Sequence, residues 1–225
     1  MPLATTRRTG LVDQVIDQLR QSVCSGEWPV GSRVPTEPEL AVALGVGRNT
    51  VREAVRALAH NGIFEVRQGD GTYVRATTEV SGAVRRLVGS ELREVLQVRR
   101  CLEVEGARLA ASARTEQDIA ELRELLERRN VLESGGDRDE FALADTLLHR
   151  AVVQASHNTV LTELHKGLTE VITASTAIMS RTDAGNSIEH DGLIEAIIAR
   201  DAERAAREAG CFLDELLGEL PADGS

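Results

Sequence analysis

The chain has 225 residues, enough for one large or two small domains, and its apolar content of 42% is ample for a packed core. Aromatic residues make up only 2%, so that core is built from Leu, Val, Ile and Ala, a composition that favours helical bundles. The net charge of −10 argues against a uniformly basic nucleic-acid binder, but the charge is unevenly spread: residues 1–76 carry nine Arg against eight Asp or Glu, which leaves −11 for the rest. Cys24, Cys101 and Cys211 are odd in number and widely separated, which supports neither a zinc ribbon nor a disulfide framework. Reduced cysteines are the expected state. The sequence has no apolar run of membrane-spanning length and no signal peptide, so a soluble cytoplasmic protein with no membrane partner is expected.

Residues 1–9 are polar. From Gly10 to Cys24, Leu11, Val15, Leu19 and Val23 recur every four residues and predict an amphipathic helix, stopped by Ser25-Gly26. A turn-rich connector from Trp28 to Arg33 follows, with Trp28 read as a packing residue. Glu39 to Leu44 and Arg48 to His60 are two short helical patterns split by Leu44-Gly45-Val46-Gly47. Asn61-Gly62 closes the second. Ile63 to Arg67 and Thr72 to Arg75 are β-prone, and Gly69-Asp70-Gly71 between them is a hairpin turn. Helix, tight turn, helix and β-hairpin is the plan of a winged helix-turn-helix.

The second of these helices has two faces. Val51, Ala54, Val55 and Leu58 form a buried stripe. Arg48, Arg52 and Arg56 lie at i, i+4 and i+8 and form a cationic ridge, with Asn49 beside its N-terminal end. A solvated ridge would carry interleaved acids, and only Glu53 is available. A helix docking by its N-terminal turns sets backbone N–H groups, Arg and Asn against phosphates and base edges, so double-stranded DNA is the expected partner.

At GVGRNTVREAVRALAHNGIFEVRQGDGTYV the chain resembles the GntR family of bacterial transcription regulators. The resemblance implies an operator-binding winged helix that works as a homodimer. Carried across, Arg48, Thr50 and Arg52 match positions that touch DNA, and Gly69 matches the wing tip. Two departures stand out. Pro38 replaces a frequent Arg, and Gly47 stands where Ser or Thr usually opens the recognition helix.

Residues 77–89 are rich in Thr, Ser, Gly and Val and read as a linker. From residue 90 onward an antiparallel all-α bundle is expected, so the fold class is mainly α. Its six helices span Glu91–Arg114, Glu116–Leu132, Asp139–Ser156, Asn158 to about Met179 with a break near Gly167, Ser187–Ala199 and Ala202–Leu217. Thr115 is the expected N-cap of the second, and Asp183 to Asn186 reads as a loop.

Polar residues on apolar stripes are the informative ones here. Asp145 and His149 lie one turn apart on the stripe of Phe141, Ala144, Leu148 and Val152, and such a pair can either hold one ion or simply hydrogen-bond in the core. His190 precedes Ile194, Ile197 and Ile198 at helical spacing and points inward. Arg99 lies on the stripe of Val95, Leu96, Leu102 and Gly106, where a buried guanidinium needs an anion. That anion is either Glu103 or Glu105, or an effector carboxylate, with Gly106 leaving room beside it. His157 and His165 read as surface or junction residues.

VRRCLEVEGARLAA, ADTLLHRAVVQASHN and EHDGLIEAIIARDAERAAREA resemble the effector-binding helical domain, called FCD, of the FadR subfamily of the same family. What this implies is a small-molecule sensor, usually for a carboxylic acid, often with a divalent metal such as Zn, Ni or Mn. Asp145, His149 and His190 match its metal ligands. A fourth ligand, a His, is expected where this chain has Phe212. Either water or the effector completes the coordination, or Phe212 fills the space and the site is degenerate. Arg99 and Phe212 are the expected effector-pocket residues, sharing one interior with the metal cluster. The resulting expectation is a metabolite-responsive transcription regulator and not an enzyme. The alternatives are a metal-dependent enzyme centred on Asp145, His149 and His190, which would leave the first 75 residues unexplained, and a regulator with a degenerate effector site.

Overall fold

The computed structural model describes residues 10–87, 92–133, 135, 137–179 and 190–219; the side chains of residues 87, 92, 173–179, 212, 216 and 219 lie outside that description. The chain divides into two compact units, residues 1–89 and 90–225.

In the first unit, α1 (Leu11–Cys24) buries Val15, Leu19 and Val23, the expected stripe. Helix α2 (Glu37–Leu44) starts two residues before the sequence pattern suggests. The cause is a capping box: the Thr36 backbone N–H and its hydroxyl both reach Glu39 Oε2 at 2.7 Å. Pro38 is accommodated in the first turn, where its missing N–H costs nothing. Gly45 ends the helix at φ +64°, a conformation that favours glycine. Helix α3 (Arg48–His60) buries Val51, Ala54, Val55 and Leu58, the predicted stripe, against α1 and Leu40.

Strands β1 (Phe64–Arg67) and β2 (Gly71–Val74) pair antiparallel in the register Phe64 to Val74 through Arg67 to Gly71. Gly69 turns the hairpin at φ +80°. The connector after Trp28 is more ordered than its turn-rich composition suggests. Gly31 N–H donates to the Val74 carbonyl and Val34 N–H to that of Thr72, both at 2.8 Å, so this segment runs along β2. Trp28 packs on the core, as expected.

The stretch read as a linker, residues 77–89, contains a helix, α4 (Glu79–Leu87). Composition hid it because Thr and Ser act here as caps. Ser81 N–H donates to Thr78 Oγ1 at 3.0 Å and Thr78 N–H to Ser81 Oγ at 3.1 Å. The helix is docked onto the winged domain. Glu79 Oε1 accepts from Arg20 at 2.7 Å and from Asn61 Nδ2 at 3.0 Å, and Arg86 reaches the His60 carbonyl. Gly82 permits the approach: a Cβ there would stand 2.6 Å from the Asn61 carbonyl oxygen.

The second unit contains α5 (Leu92–Ala113), α6 (Glu116–Glu133), α7 (Arg138–Gln154), α8 (Thr159–Met179), α9 (Asp191–Ile198) and α10 (Ala202–Glu219). Helix α5 is central, packing on α7, α8, α9 and α10. Small residues make this possible: Ala107, Ala110 and Ala111 meet Leu148, Val152, Ile194, Ile197, Ala205 and Ala209. Gly106 serves the same packing and does not open space beside Arg99, since a Cβ there would lie 3.0 Å from Val153 Cγ2. Helix α8 runs unbroken through Gly167, and the loop expected over Asp183 to Asn186 lies outside the described residues.

Helix ends are tied by side chains. Thr115 and Asp118 form the expected cap of α6, with Thr115 N–H donating to Asp118 Oδ2 at 2.6 Å. Arg200 donates to the Ser112 and Arg114 carbonyls at the end of α5. Arg114 donates in turn to the Ile197 and Ile198 carbonyls at the end of α9. Each guanidinium thereby satisfies carbonyls that a helix leaves open.

Candidate nucleic-acid interface and metal centre

Amphipathicity turns the polar face of α3 outward. Arg48, Asn49, Arg52 and Arg56 are exposed, Thr50 is half-buried, and Gly69 is exposed at the hairpin tip. The N-terminal turn of α3 carries no acidic residue, so its free N–H groups and positive dipole end add to the arginines. On the wing, Arg67 lies over the Tyr73 ring, 4.3 Å from its centroid, and also pairs with Glu65. Glu65 holds Arg75 as well, and these two guanidiniums keep its carboxyl below the usual value.

The second unit brings Asp145, His149 and His190 together and buries both histidines. His190 Nε2 lies 3.0 Å from His149 Nε2 and 3.8 Å from Asp145 Oδ1, while His149 Nε2 lies 3.7 Å from Asp145 Oδ2. Two ligands on one tetrahedral ion at about 2.0–2.1 Å are roughly 3.3 Å apart. The two carboxylate distances are to different oxygens; taking one donor atom from each residue, all three lie within 4.8 Å of one another, so side-chain rotation that draws them together would receive an ion. His190 sits at the N-terminal boundary of α9, which is described from Asp191 rather than from the expected Ser187.

Sequence reasoning underrated Glu103, naming it only as one possible partner of Arg99. It is buried between α5, α7 and α8. Its Oε2 accepts from His149 Nδ1 at 2.9 Å, and its Oε1 meets His165 Nε2 at 2.8 Å and Arg99 Nε. Burial alone would raise the Glu103 carboxyl, but the charges of His149 and Arg99 and the histidine hydrogen bonds hold it well below the usual range. In the neutral ring that a metal requires, a carboxylate on Nδ1–H fixes the tautomer of His149 and leaves the Nε2 lone pair facing Asp145 and His190. This donor set suits a divalent ion.

This geometry bears on the other polar residues that the sequence singles out. Arg99 pairs with Glu103, so of its two readings the internal ion pair is the one formed here. His165, expected as a surface or junction residue, is 2% exposed and belongs to the buried network, because α8 turns it toward α5. His157 is exposed as expected and hydrogen-bonds Asp118. Phe212 lies on α10, and its side chain is outside the described residues.

Arg129 is the member that sequence reasoning missed. It is 2% exposed, and its Nε donates to Asp145 Oδ1 at 2.9 Å. The signal was present, since Ile119, Leu122, Leu126 and Arg129 follow helical spacing and place an arginine on an apolar stripe. Burial would raise the Asp145 carboxyl, but His149, Arg129 and His190 together hold it low.

Comparison with known proteins interprets both features. Residues 11–74 match the family described as bacterial regulatory proteins, gntR family, and residues 94–214 match the FCD domain. The chain belongs to the GntR family of bacterial transcription regulators. It is 34% identical to a Paenarthrobacter nicotinovorans protein named "Probable D-xylose utilization operon transcriptional repressor", over 88% of this chain and 83% of that one. It is 28% identical to the galactonate operon transcriptional repressor of Escherichia coli K12, over 88% of this chain and 91% of that one. The structure of a GntR protein from Streptococcus agalactiae superposes with a TM-score of 0.55 at 28% identity, covering 92% of this chain and all of that one. The GntR regulator described here is thus a DNA-binding protein with an effector-binding domain, from a family of regulators and not of enzymes. Among the described residues, no helix is long and apolar enough to cross a membrane.

Proposed function

We propose that this GntR regulator acts as a homodimer on a pseudo-palindromic operator, and that a carboxylate metabolite bound with a divalent metal in the FCD domain alters operator affinity. Arg48, Asn49, Thr50, Arg52, Arg56 and Gly69 are the proposed DNA contacts. Exposure of the whole ridge on one helix, with the wing tip at Gly69, supports them. Asp145, His149 and His190 would hold the ion, with Zn, Ni or Mn compatible with the nitrogen and oxygen donors. The clustering of these three residues carries this part of the reading.

Charge favours an anionic effector. Among the described residues the network holds three carboxylates, Glu103, Asp145 and Glu133, around two guanidiniums, Arg99 and Arg129. A divalent ion adds two charges, of which this set offsets one, and an anionic ligand compensates the other. When bound, the metal would supply a positive centre for a carboxylate oxygen. Arg99 would contact the effector by exchanging Glu103 for it, and Phe212 remains the proposed apolar wall. The relative named for the galactonate operon is named for a carboxylate, which agrees with this class. DNA and effector affinities are then linked reciprocally.

Elemental analysis of protein purified without a metal-affinity tag tests the metal. A near-stoichiometric divalent ion is expected in the parent protein, and its loss in His149→Ala. Metal-free protein that takes up no Zn²⁺, Ni²⁺ or Mn²⁺ on titration refutes this part. Operator release on titrating carboxylates against metal-loaded protein tests the rest, and release unaffected by chelation would show that the effector acts without the ion.

A further inference from the structure

The three arginines of α3 are not equivalent. Arg48 and Arg56 are exposed and form no ion pair among the described residues. Arg52 is tied to Glu37, the first residue of α2. Its Nε donates to Glu37 Oε2 at 3.0 Å and lies 3.3 Å from Oε1, and its Nη2 lies 2.9 Å from Oε2. These contacts engage one side of the guanidinium plane, the edge shared by Nε and Nη2. The end edge, between Nη1 and Nη2, is not engaged by Glu37. An arginine can present that edge to O6 and N7 of guanine.

We propose that Glu37 is a specificity-determining positioning residue that holds the Arg52 guanidinium with its end edge turned to a guanine in the major groove. The inference rests on α3 being the base-reading helix. Glu37 is itself held in place. The Thr36–Glu39 capping box fixes the first turn of α2, and Leu40 anchors that helix in the same core as Val51 and Val55 of α3. Arg52 therefore has less rotamer freedom to lose at the base than Arg48 or Arg56, and its contact is less tolerant of a wrong partner. Arg48 and Arg56 suit phosphates, where a flexible cation serves.

A carboxylate near DNA also repels phosphates. That repulsion is the same for every sequence, and it is softened by Arg52 and by screening over about 8 Å at physiological salt. Positioning acts at one base. The two effects therefore separate cleanly: repulsion changes affinity for all duplexes, and positioning changes base preference.

The experiment is selection from a random-sequence duplex pool with the full-length protein, its Glu37→Gln, Glu37→Asp, Arg52→Ala and Arg48→Ala variants. Fluorescence anisotropy then follows on the selected duplex, on the same duplex with single-base changes, and on a scrambled one, at fixed salt. The parent protein should select guanine at a defined position of each half-site. Glu37→Gln should lose on the order of tenfold or more of the preference at that position and keep it elsewhere. Affinity for scrambled DNA should be unchanged or tighter. Glu37→Asp, which keeps the charge but shortens the reach, should show the same relaxation. Arg48→Ala should weaken binding to all duplexes alike. If Glu37→Gln retains the parent's base preference while Arg52→Ala loses it, Glu37 is only a partner of the free state and the proposal is overturned. If Arg52→Ala also retains it, Arg52 reads no base, and the underlying assignment of this residue fails as well.

Discussion

Glu103→Gln is the substitution that most directly probes the buried network of the FCD domain. The carboxylate is 3% exposed, with His149 Nδ1 at 2.9 Å, His165 Nε2 at 2.8 Å and the Arg99 guanidinium on the same oxygen as His165. Glutamine keeps the volume, so no cavity forms, but it removes the negative charge facing Arg99. Removing one partner of a buried ion pair costs roughly 3–5 kcal/mol. The amide keeps one acceptor oxygen, which recovers about 1 kcal/mol for a neutral hydrogen bond. A net loss of roughly 2–4 kcal/mol remains, equivalent to about 4–16 °C in Tm for a chain of this size. Because the carboxyl is held below its unfolded value, its contribution is complete above the usual carboxylate range and is lost only as pH falls through the folded value. Neutral pH therefore exposes the full effect. The assay is thermal unfolding by circular dichroism in chelator-treated buffer, with Zn²⁺ titration of the folded variant alongside. His149 also loses the partner that fixes its tautomer, so metal affinity should fall roughly 10–100-fold. A Tm within a degree of the parent, together with unchanged Zn²⁺ affinity, would refute both the ion-pair and the tautomer arguments.

Two further substitutions test the packing that carries each domain. Gly82→Ala sets a methyl 2.6 Å from the Asn61 carbonyl and should push α4 off the winged domain; overpacking of this kind costs about 1–3 kcal/mol, read as faster amide exchange in α4 and a lower Tm. Asp118→Ala removes the carboxylate that caps α6 and should cost about 0.5–2 kcal/mol at neutral pH. Burial acts to raise the Asp118 carboxyl, but its hydrogen bonds to Thr115 and His157 hold it below the usual value. Its contribution is therefore present above about pH 3.9 and disappears on acidification below that, where the stabilities of variant and parent should converge in denaturant titrations.

The linear chain determined the elements and the class of protein. Helical spacing alone gives α1, α3 and the six helices of the FCD domain, because an amphipathic helix writes its buried face into the sequence every three to four residues. The hairpin is legible from Gly69-Asp70-Gly71, since the turn requires a residue that tolerates positive φ. That Asp145, His149 and His190 face the interior is also legible, because they interrupt apolar stripes, and the resemblance to the FCD domain implies that they meet there. Helix α4 escaped because its Thr and Ser caps and its Gly82 contact read as linker composition until Asn61 and Gly62 are in place opposite.

What only the tertiary structure decided is which charge meets which. Periodicity says that Arg99 and Arg129 face inward, but not that Glu103 claims the first and Asp145 the second. It says nothing of His165 joining Glu103 across the α5–α8 contact, or of Glu37 gripping Arg52 across the α2–α3 turn. Such pairings depend on distances of a few ångströms between helices far apart in sequence or turned by a tight loop. A helical repeat fixes the direction of a side chain from its own axis, and only the packing of axes fixes its partner.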